Sequence, residues 1–408
     1  MDHCRGLQAN KFASLRELKM KNTIFLSVIV AMIISSCTTE VDLTAPYKST
    51  TVVFGLLNPD FNGDNVVNQL DTQWVKINRT FLGEGDNLSY AAIRDSSEYS
   101  DDDFETMVVQ MLEEEDIIQE FELHSISVSN KNVNGIFYGP EQTLYYFIPP
   151  TTGLNQAFDY KIYLKFKDGH IVTATTDVVN YSNFSWITPQ AGSSITLANV
   201  SSQGGVNYVD PVSIRWYSGS NAELYTGVMR FHYTEIIYDN LAWSGTPVST
   251  TEKYIDYVIG DRKNEDLQPG SMMAIEFSGF GFFNFVKNNI EINPYARRVI
   301  GRYDDDTEKT VCFDVLLTIG NKELATYIDV NTPSGSIIQE RPVYTNIDNG
   351  LGLFASRGER RVLDMPLTGV DQNGLPVVGN LYAFFIENMT AELNFCDPNP
   401  SSDYYCGF

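Results

Sequence analysis

The residues able to do chemistry near neutral pH are few and scattered. Of the four histidines, His3 sits in the first 19 residues, His124 stands alone, His170 follows an Asp-Gly turn and His232 lies within an alternating stretch. His232 with a carboxylate partner such as Glu235 could act as a general base, although a histidine on a half-solvated strand more commonly has a structural role. Nucleophilic hydrolysis needs a serine on a strained G-x-S-x-G elbow or a cysteine with a histidine partner. Neither pattern occurs, and neither does H-E-x-x-H or paired C-x-x-C zinc spacing. A glycosidase needs two carboxylates at a fixed separation, yet among 52 acidic residues no pair stands out. Asp101-Asp102-Asp103 and Asp304-Asp305-Asp306 read as solvated loops. Gly279-Phe280-Gly281 and Gly350-Leu351-Gly352 are too short to cradle phosphate and read as turn or bulge glycines. No catalytic residue and no cofactor are expected.

One loop invites a metal. Asp60-Phe61-Asn62-Gly63-Asp64-Asn65-Val66-Val67-Asn68-Gln69-Leu70-Asp71 places oxygen ligands at positions 1, 3, 5, 9 and 12 of a calcium loop, in a spacing that resembles a dockerin-type loop. Asn65 replaces the glycine expected at position 6, and Trp74 onward has the pattern of a strand rather than an exiting helix. Asp, Asn and Gly between strands are ordinary turn residues, which is the reading adopted, with calcium as the alternative. Trp74, Trp186, Trp216 and Trp243 could stack on sugars, but sandwich cores use aromatics in the same proportion.

The elements that must position these residues are strands. Thr51–Leu57 and Gln73–Phe81 open the series. Met107–Leu112 pairs with Ile117–Leu123, and Tyr160, Ile162, Leu164 and Phe166 alternate ahead of the hairpin pair Asp168-Gly169. Phe184–Val206 is rich in Gly, Ser and Pro and marks a domain boundary. Beyond it, Val212–Tyr217, the alternation of Tyr225, Gly227, Met229, Phe231 and Tyr233, and Tyr254–Ile259, Met272–Phe277, Val311–Ile319, Leu324–Ile328, Leu381–Phe385 and Ala391–Phe395 all read as strands. Only Phe282–Ile290 has helical spacing. The expectation is an all-β protein of two antiparallel β-sandwich (Ig-like) domains, at 50–190 and 206–395, with at most one short helix and a tail at 396–408. Cys312 reads as a buried small hydrophobe, and Cys396 and Cys406 as a disulfide stapling the turn-rich tail.

The chain's address is written more plainly than its chemistry. Lys19 and Lys21 precede an apolar run from Ile24 to Ile34, too short to span a bilayer and of the length of an export signal. Ser35-Ser36-Cys37 ends it, and the match resembles the lipobox of bacterial lipoproteins. The resemblance implies that Cys37 is lipidated and becomes the new N-terminus on cleavage, and since burying acyl chains contributes about 0.8 kcal/mol per methylene, two chains suffice to anchor. Residues 1–19 then read as an upstream start called too early, 20–36 as the signal peptide and 37–49 as a tether. That leaves about 370 of the 408 residues, more than one core usually organises. A hydrophobic fraction of 43% is enough to fill two. Removing five basic and two acidic residues with the leader takes the net charge from −24 to −27, which repels nucleic acid and disfavours electrostatic attachment to anionic lipid.

The lipobox, Lys48-Ser49-Thr50-Thr51-Val52-Val53-Phe54-Gly55-Leu56-Leu57, Trp74-Val75-Lys76-Ile77-Asn78-Arg79-Thr80-Phe81-Leu82-Gly83 and Tyr344-Thr345-Asn346-Ile347-Asp348-Asn349-Gly350-Leu351-Gly352-Leu353-Phe354 together resemble Bacteroidota outer-membrane lipoproteins that carry a domain of unknown function. The resemblance implies an outer-membrane lipoprotein on the cell-surface side, accompanying a TonB-dependent transporter or another outer-membrane complex. A non-enzymatic binding or accessory role follows, with glycan or peptide capture, or hydrolysis at an unrecognised site, as the alternatives.

Overall fold

The computed structural model describes residues 49–407 apart from 60–71, 82–86, 133, 136, 151–152, 204, 266–267, 333–342, 371–375 and 386–389. Cys37 and the Asp60–Asp71 loop therefore lie outside the described residues. Strands β1 (Thr51–Leu57) and β2 (Gln73–Arg79) run antiparallel, Thr51 opposite Arg79. Short helices α1 (Asn87–Ala91) and α2 (Arg94–Ser97) lead to the hairpin of β3 (Phe104–Glu113) and β4 (Asp116–Glu122). Next, β5 (His124–Ser129) pairs with β6 (Glu141–Phe147), which also reaches β2. The hairpin of β7 (Asp159–Phe166) and β8 (Ile171–Thr176) turns through Gly169, whose φ of +86° only glycine adopts freely. Tyr160, Ile162, Leu164 and Phe166 are all buried, as period-2 alternation demands. The sheet β4-β3-β7-β8 and the run β1-β2-β6-β5 share one core, with Val53, Val75 and Tyr145 meeting Val109, Phe121 and Ile162.

The rest of the chain builds a second core. After β9 (Ser185–Thr188) and the small pair β10 (Ala198–Val200) and β11 (Val206–Tyr208) comes β12 (Val212–Tyr217). The long hairpin β13 (Leu224–Ile237) and β14 (Ser249–Lys263) follows, and β15 (Met272–Phe277) returns to β12. Helix α3 (Gly279–Asn289), capped by Ser278, buries Phe282, Phe283 and Val286 at helical spacing. Then come β16 (Ala296–Ile300), β17 (Arg302–Asp304), β18 (Lys309–Gly320), α4 (Lys322–Asn331), β19 (Gly350–Pro366) and α5 (Gly379–Phe385). Sheet β15-β12-β9 covers β13 and β18 through Ile214, Trp216, Met229, Phe231 and Phe313.

The framework is all-β, but it carries five α-helices among the described residues rather than at most one. Leu324–Ile328 lies in α4: Asn321 caps it, and its buried pair Leu324 and Ala325 shares a face with Ile328, four residues on from Leu324. Leu381–Phe385 lies in α5, whose buried Gly379, Asn380, Ala383 and Phe384 recur at helical spacing. Ala391–Leu393 is a 3₁₀ turn, and only Phe395–Cys396 extends, pairing with β16. Aromatic and β-branched composition favours strand locally, and tertiary burial of a helical face overrides it. No described helix is long and apolar enough to cross a membrane.

A single sheet joins the two cores. Gly350–Ser356 of β19 pairs in parallel with β1, and Arg357–Pro366 pairs antiparallel with β18. At the handover, buried Ser356 donates its hydroxyl to Leu57 O at 3.2 Å and accepts from Val179 N–H at 3.1 Å. Gly352 approaches β1 so closely that a Cβ would stand 2.0 Å from Val53 O.

Candidate functional site

The site forms where the second core's sheet forks. β13 pairs with β18 as far as Phe231 opposite Phe313, and from Tyr233 onward its neighbour is β16. Gly301 makes the switch. Its N–H donates to His232 O at 2.9 Å, its φ is +51°, and a Cβ would stand 2.0 Å from Val311 O. β17 then pairs back onto β18. The two strands splay around a cleft of about 310 Å³ lined by His232, Thr234, Lys253, Arg302, Asp314 and Asp364.

His232 Nε2 lies 2.7 Å from Asp314 Oδ2, and Asp364 N–H donates to Asp314 Oδ1 at 2.9 Å. The register of β18 on β19 slips around Phe313, so Leu363 and Asp364 bulge opposite Asp314, with Asp364 at a φ of +55°. Burial pushes the Asp314 carboxyl up, but the bonds from His232 and Asp364 outweigh it and hold that carboxyl below the usual range. An ionised carboxylate only accepts, so His232 Nε2 is the donor of this bond. Arg302 Nη2 meets Asp364 Oδ1 at 2.9 Å. Arg230, opposite Asp314 on the sheet, grips Asp256 through two bonds of 2.8 and 2.9 Å and lies 4.0 Å over the Tyr254 ring.

A His–Asp pair also occurs in nucleophilic triads, where a hydroxyl or thiol meets the other ring nitrogen. Among the described residues no serine, threonine or cysteine hydrogen-bonds the histidine ring. Cys312 is fully enclosed, and burial raises its thiol well above the ordinary value, so no thiolate is available. The cleft's polar groups present hydrogen-bonding atoms and charges of both signs.

Glu235 is not the partner of His232. The two are three residues apart on a strand and point to opposite faces. Glu235 accepts from Arg298 Nε at 3.0 Å and Nη2 at 2.7 Å and also pairs with Lys253. Burial pushes its carboxyl up, and these two cations bring it below the ordinary value. Arg298 is 1% exposed and also donates to Leu393 O and Glu291 O, both at 2.8 Å. Nothing in the local sequence distinguishes it from any other arginine.

The other singled-out residues are dispersed. Cys396 and Cys406 are joined in a disulfide with Cα atoms 5.0 Å apart. Asp397 N–H donates to Tyr404 O and Cys406 N–H to Asp397 O, both at 2.9 Å, closing the same loop. His124 stands on β5 beside Tyr146, and His170 lies against Phe166 after its turn. Trp216 is buried, Trp186 is half-buried beside Phe184, and Trp243 donates to Pro294 O, which leaves Trp74 facing outward next to Tyr146. Asp101–Asp103 form a 3₁₀ turn capped by Ser100, and Asp304 bonds within its own turn to Thr307. Gly279 and Gly281 open α3 rather than forming a turn. Among the described residues no group of three His, Cys, Asp or Glu side chains could hold a metal ion.

No protein-family model and no curated protein matches the chain. A chain from the chaperone–tip adhesin complex of CFA/I fimbriae biogenesis aligns with 57% of this chain and 92% of its own at 14% identity. Its TM-score of 0.12 is too low to carry an argument.

Proposed function

We propose that this protein is a lipid-anchored binding or accessory subunit of the bacterial outer membrane, on the cell-surface side and without catalytic activity, serving a TonB-dependent transporter or another outer-membrane complex. The observation that carries the reading is the leader, Lys21 to Cys37, set ahead of a strand framework in which a charged cleft holds a His–Asp pair that no nucleophile among the described residues meets. The resemblance to Bacteroidota lipoproteins supports the choice of membrane and partner. Detergent-solubilised outer membrane is expected to yield the protein with a membrane partner on affinity purification, with acyl chains on Cys37 by mass spectrometry. Recovery of the protein alone would refute the accessory role, and a bare N-terminus would refute the anchor.

Capture of an extracellular glycan or peptide is the second reading. The fork favours it, because His232, Arg302 and Asp364 offer a ring nitrogen, guanidinium donors and a carboxylate around a cavity the size of one sugar or side chain. A glycan and peptide array probed with the wild type and His232→Ala tests this. Binding that survives the substitution unchanged places any ligand elsewhere.

A further inference from the structure

We propose that the outward face of β1, β2, β6 and β5 lies on the lipid surface that holds the Cys37 anchor, an inference that rests on the lipid-anchor reading above. In β1 the odd positions Val53 and Leu57 enter the core, which leaves Phe54 43% and Leu56 41% exposed. In β2 the same alternation buries Val75 and Ile77 and leaves Trp74 37% exposed. Strand register then sets Trp74 opposite Tyr146 and Tyr146 opposite His124, with ring centroids 5.4 and 5.7 Å apart, so one aromatic row crosses three strands. Ile126, on β5 beside His124, is 41% exposed.

A sheet face turned to water is normally polar, and this chain has 52 acidic residues to supply it. None of them occupies an outward position among these strands, where the polar residues are Lys76, Asn78, Gln142 and His124. The carboxylate that Lys76 meets, Glu98, is buried and also bonded by Arg94 and Thr143. A protein of such negative charge is repelled by anionic headgroups, so a face without carboxylates is the one that can approach them. Trp, Tyr and His, each an apolar ring with a polar edge, suit the depth of the interface.

The tether selects this face over other exposed apolar side chains. Residues 38–48 separate Cys37 from the first described residue, Ser49. A chain of that length spans at most about 40 Å. Phe54 follows the start of β1 at Thr51 by about 10 Å. Anchoring therefore holds the face near the bilayer at an effective concentration in the millimolar range, where weak side-chain insertion suffices.

The test uses the acylated protein in phosphatidylethanolamine–phosphatidylglycerol vesicles with doxyl-labelled chains near the headgroups. Quenching of tryptophan emission is expected in the wild type. It should be lost in Trp74→Phe, which identifies its source, and in Phe54→Asp/Leu56→Asp, while both variants still float with the vesicles. Floating protein with acyl chains on Cys37 but unquenched Trp74 overturns the docked face and leaves the anchor standing. A Cys37 without lipid overturns the anchor reading, and this inference with it. Trp74 shielded from aqueous acrylamide in native outer-membrane vesicles, yet unquenched by the lipid label, would give the face to a protein partner and also overturn the proposal.

Discussion

Arg298 enters the second core with all three guanidinium nitrogens bonded, by Glu235 on one side and two backbone carbonyls on the other. Truncating it leaves those carbonyls orphaned and removes one of the two cations that hold Glu235. Arg298→Met is expected to cost about 3–5 kcal/mol, the usual loss when one partner of a buried pair is removed, read as a lower urea midpoint. Arg298→Lys should recover little, since one ammonium cannot serve both sides of the planar fork. The carboxyls of Glu235 and Asp314 are both held below their ordinary values once burial is outweighed by their partners. Their contribution is therefore complete above the ordinary carboxylate range and is lost as pH falls through the folded values, below about pH 4. Asp314→Asn should flatten the acid limb of a urea-midpoint profile; an unchanged limb would mean that the His232–Asp314 pair adds no stability. At this scale the sequence was legible where neighbours suffice. The apolar alternation around Cys312 marked it as interior. Arg298 was not legible, because its partners Glu235 and Leu393 lie 63 and 95 residues away.

Among the elements, hairpins and the helix around Phe282–Ile290 were readable, and the other short helices were not. Asp168-Gly169 between two alternating runs determines a turn whatever the rest of the chain does. Leu324–Ile328, by contrast, satisfies both periods over so few residues that the cap decides, and the cap's partners are remote. Asn321 Oδ1 accepts from Leu324 N–H at 3.3 Å and Ser356 N–H at 3.2 Å, while its Nδ2 faces Thr176 Oγ1 at 2.8 Å and Asp177 Oδ1 at 2.9 Å. Asn321→Ala loses a helix cap and strands a buried N–H, and should destabilise by about 2–3 kcal/mol. Circular dichroism during urea unfolding checks it. The same knot responds to pH in the direction opposite to the fork. Burial raises the carboxyls of both Asp177 and Glu323, so the stability they confer is full below their unfolded values near pH 4 and declines as pH rises through the higher folded ones. Asp177→Asn, which cannot ionise, should show a smaller loss of midpoint than the wild type between about pH 4 and 7. Equal losses in the two proteins would remove Asp177 as the cause.

Taken whole, the molecule has two apolar cores that part between Val178 and Val179, yet one strand serves both. Phe354 of β19 fills the first core beside Gly55, where a Cβ would come within 2.9 Å of its ring, and Val362 and Met365 of the same strand fill the second. The local pattern announced β1 clearly. It could not announce a parallel neighbour some 300 residues later, because pairing across that distance leaves no trace in composition or period. The arrangement makes the halves depend on each other. A fragment of residues 49–190 would keep β1 but lose its only neighbour on that edge, exposing the β1 ladder and opening the cavity that Phe354 fills. Removing a large buried aromatic side chain alone costs about 3–5 kcal/mol, a large share of the 5–15 kcal/mol that holds an ordinary domain. The fragment is therefore expected to lack a cooperative thermal transition, whereas the intact chain should unfold with both cores in one step, seen as coincident near- and far-ultraviolet dichroism curves. A fragment that folds cooperatively by itself, or an intact chain that melts in two resolved steps, would show that β19 only bridges two independent bodies.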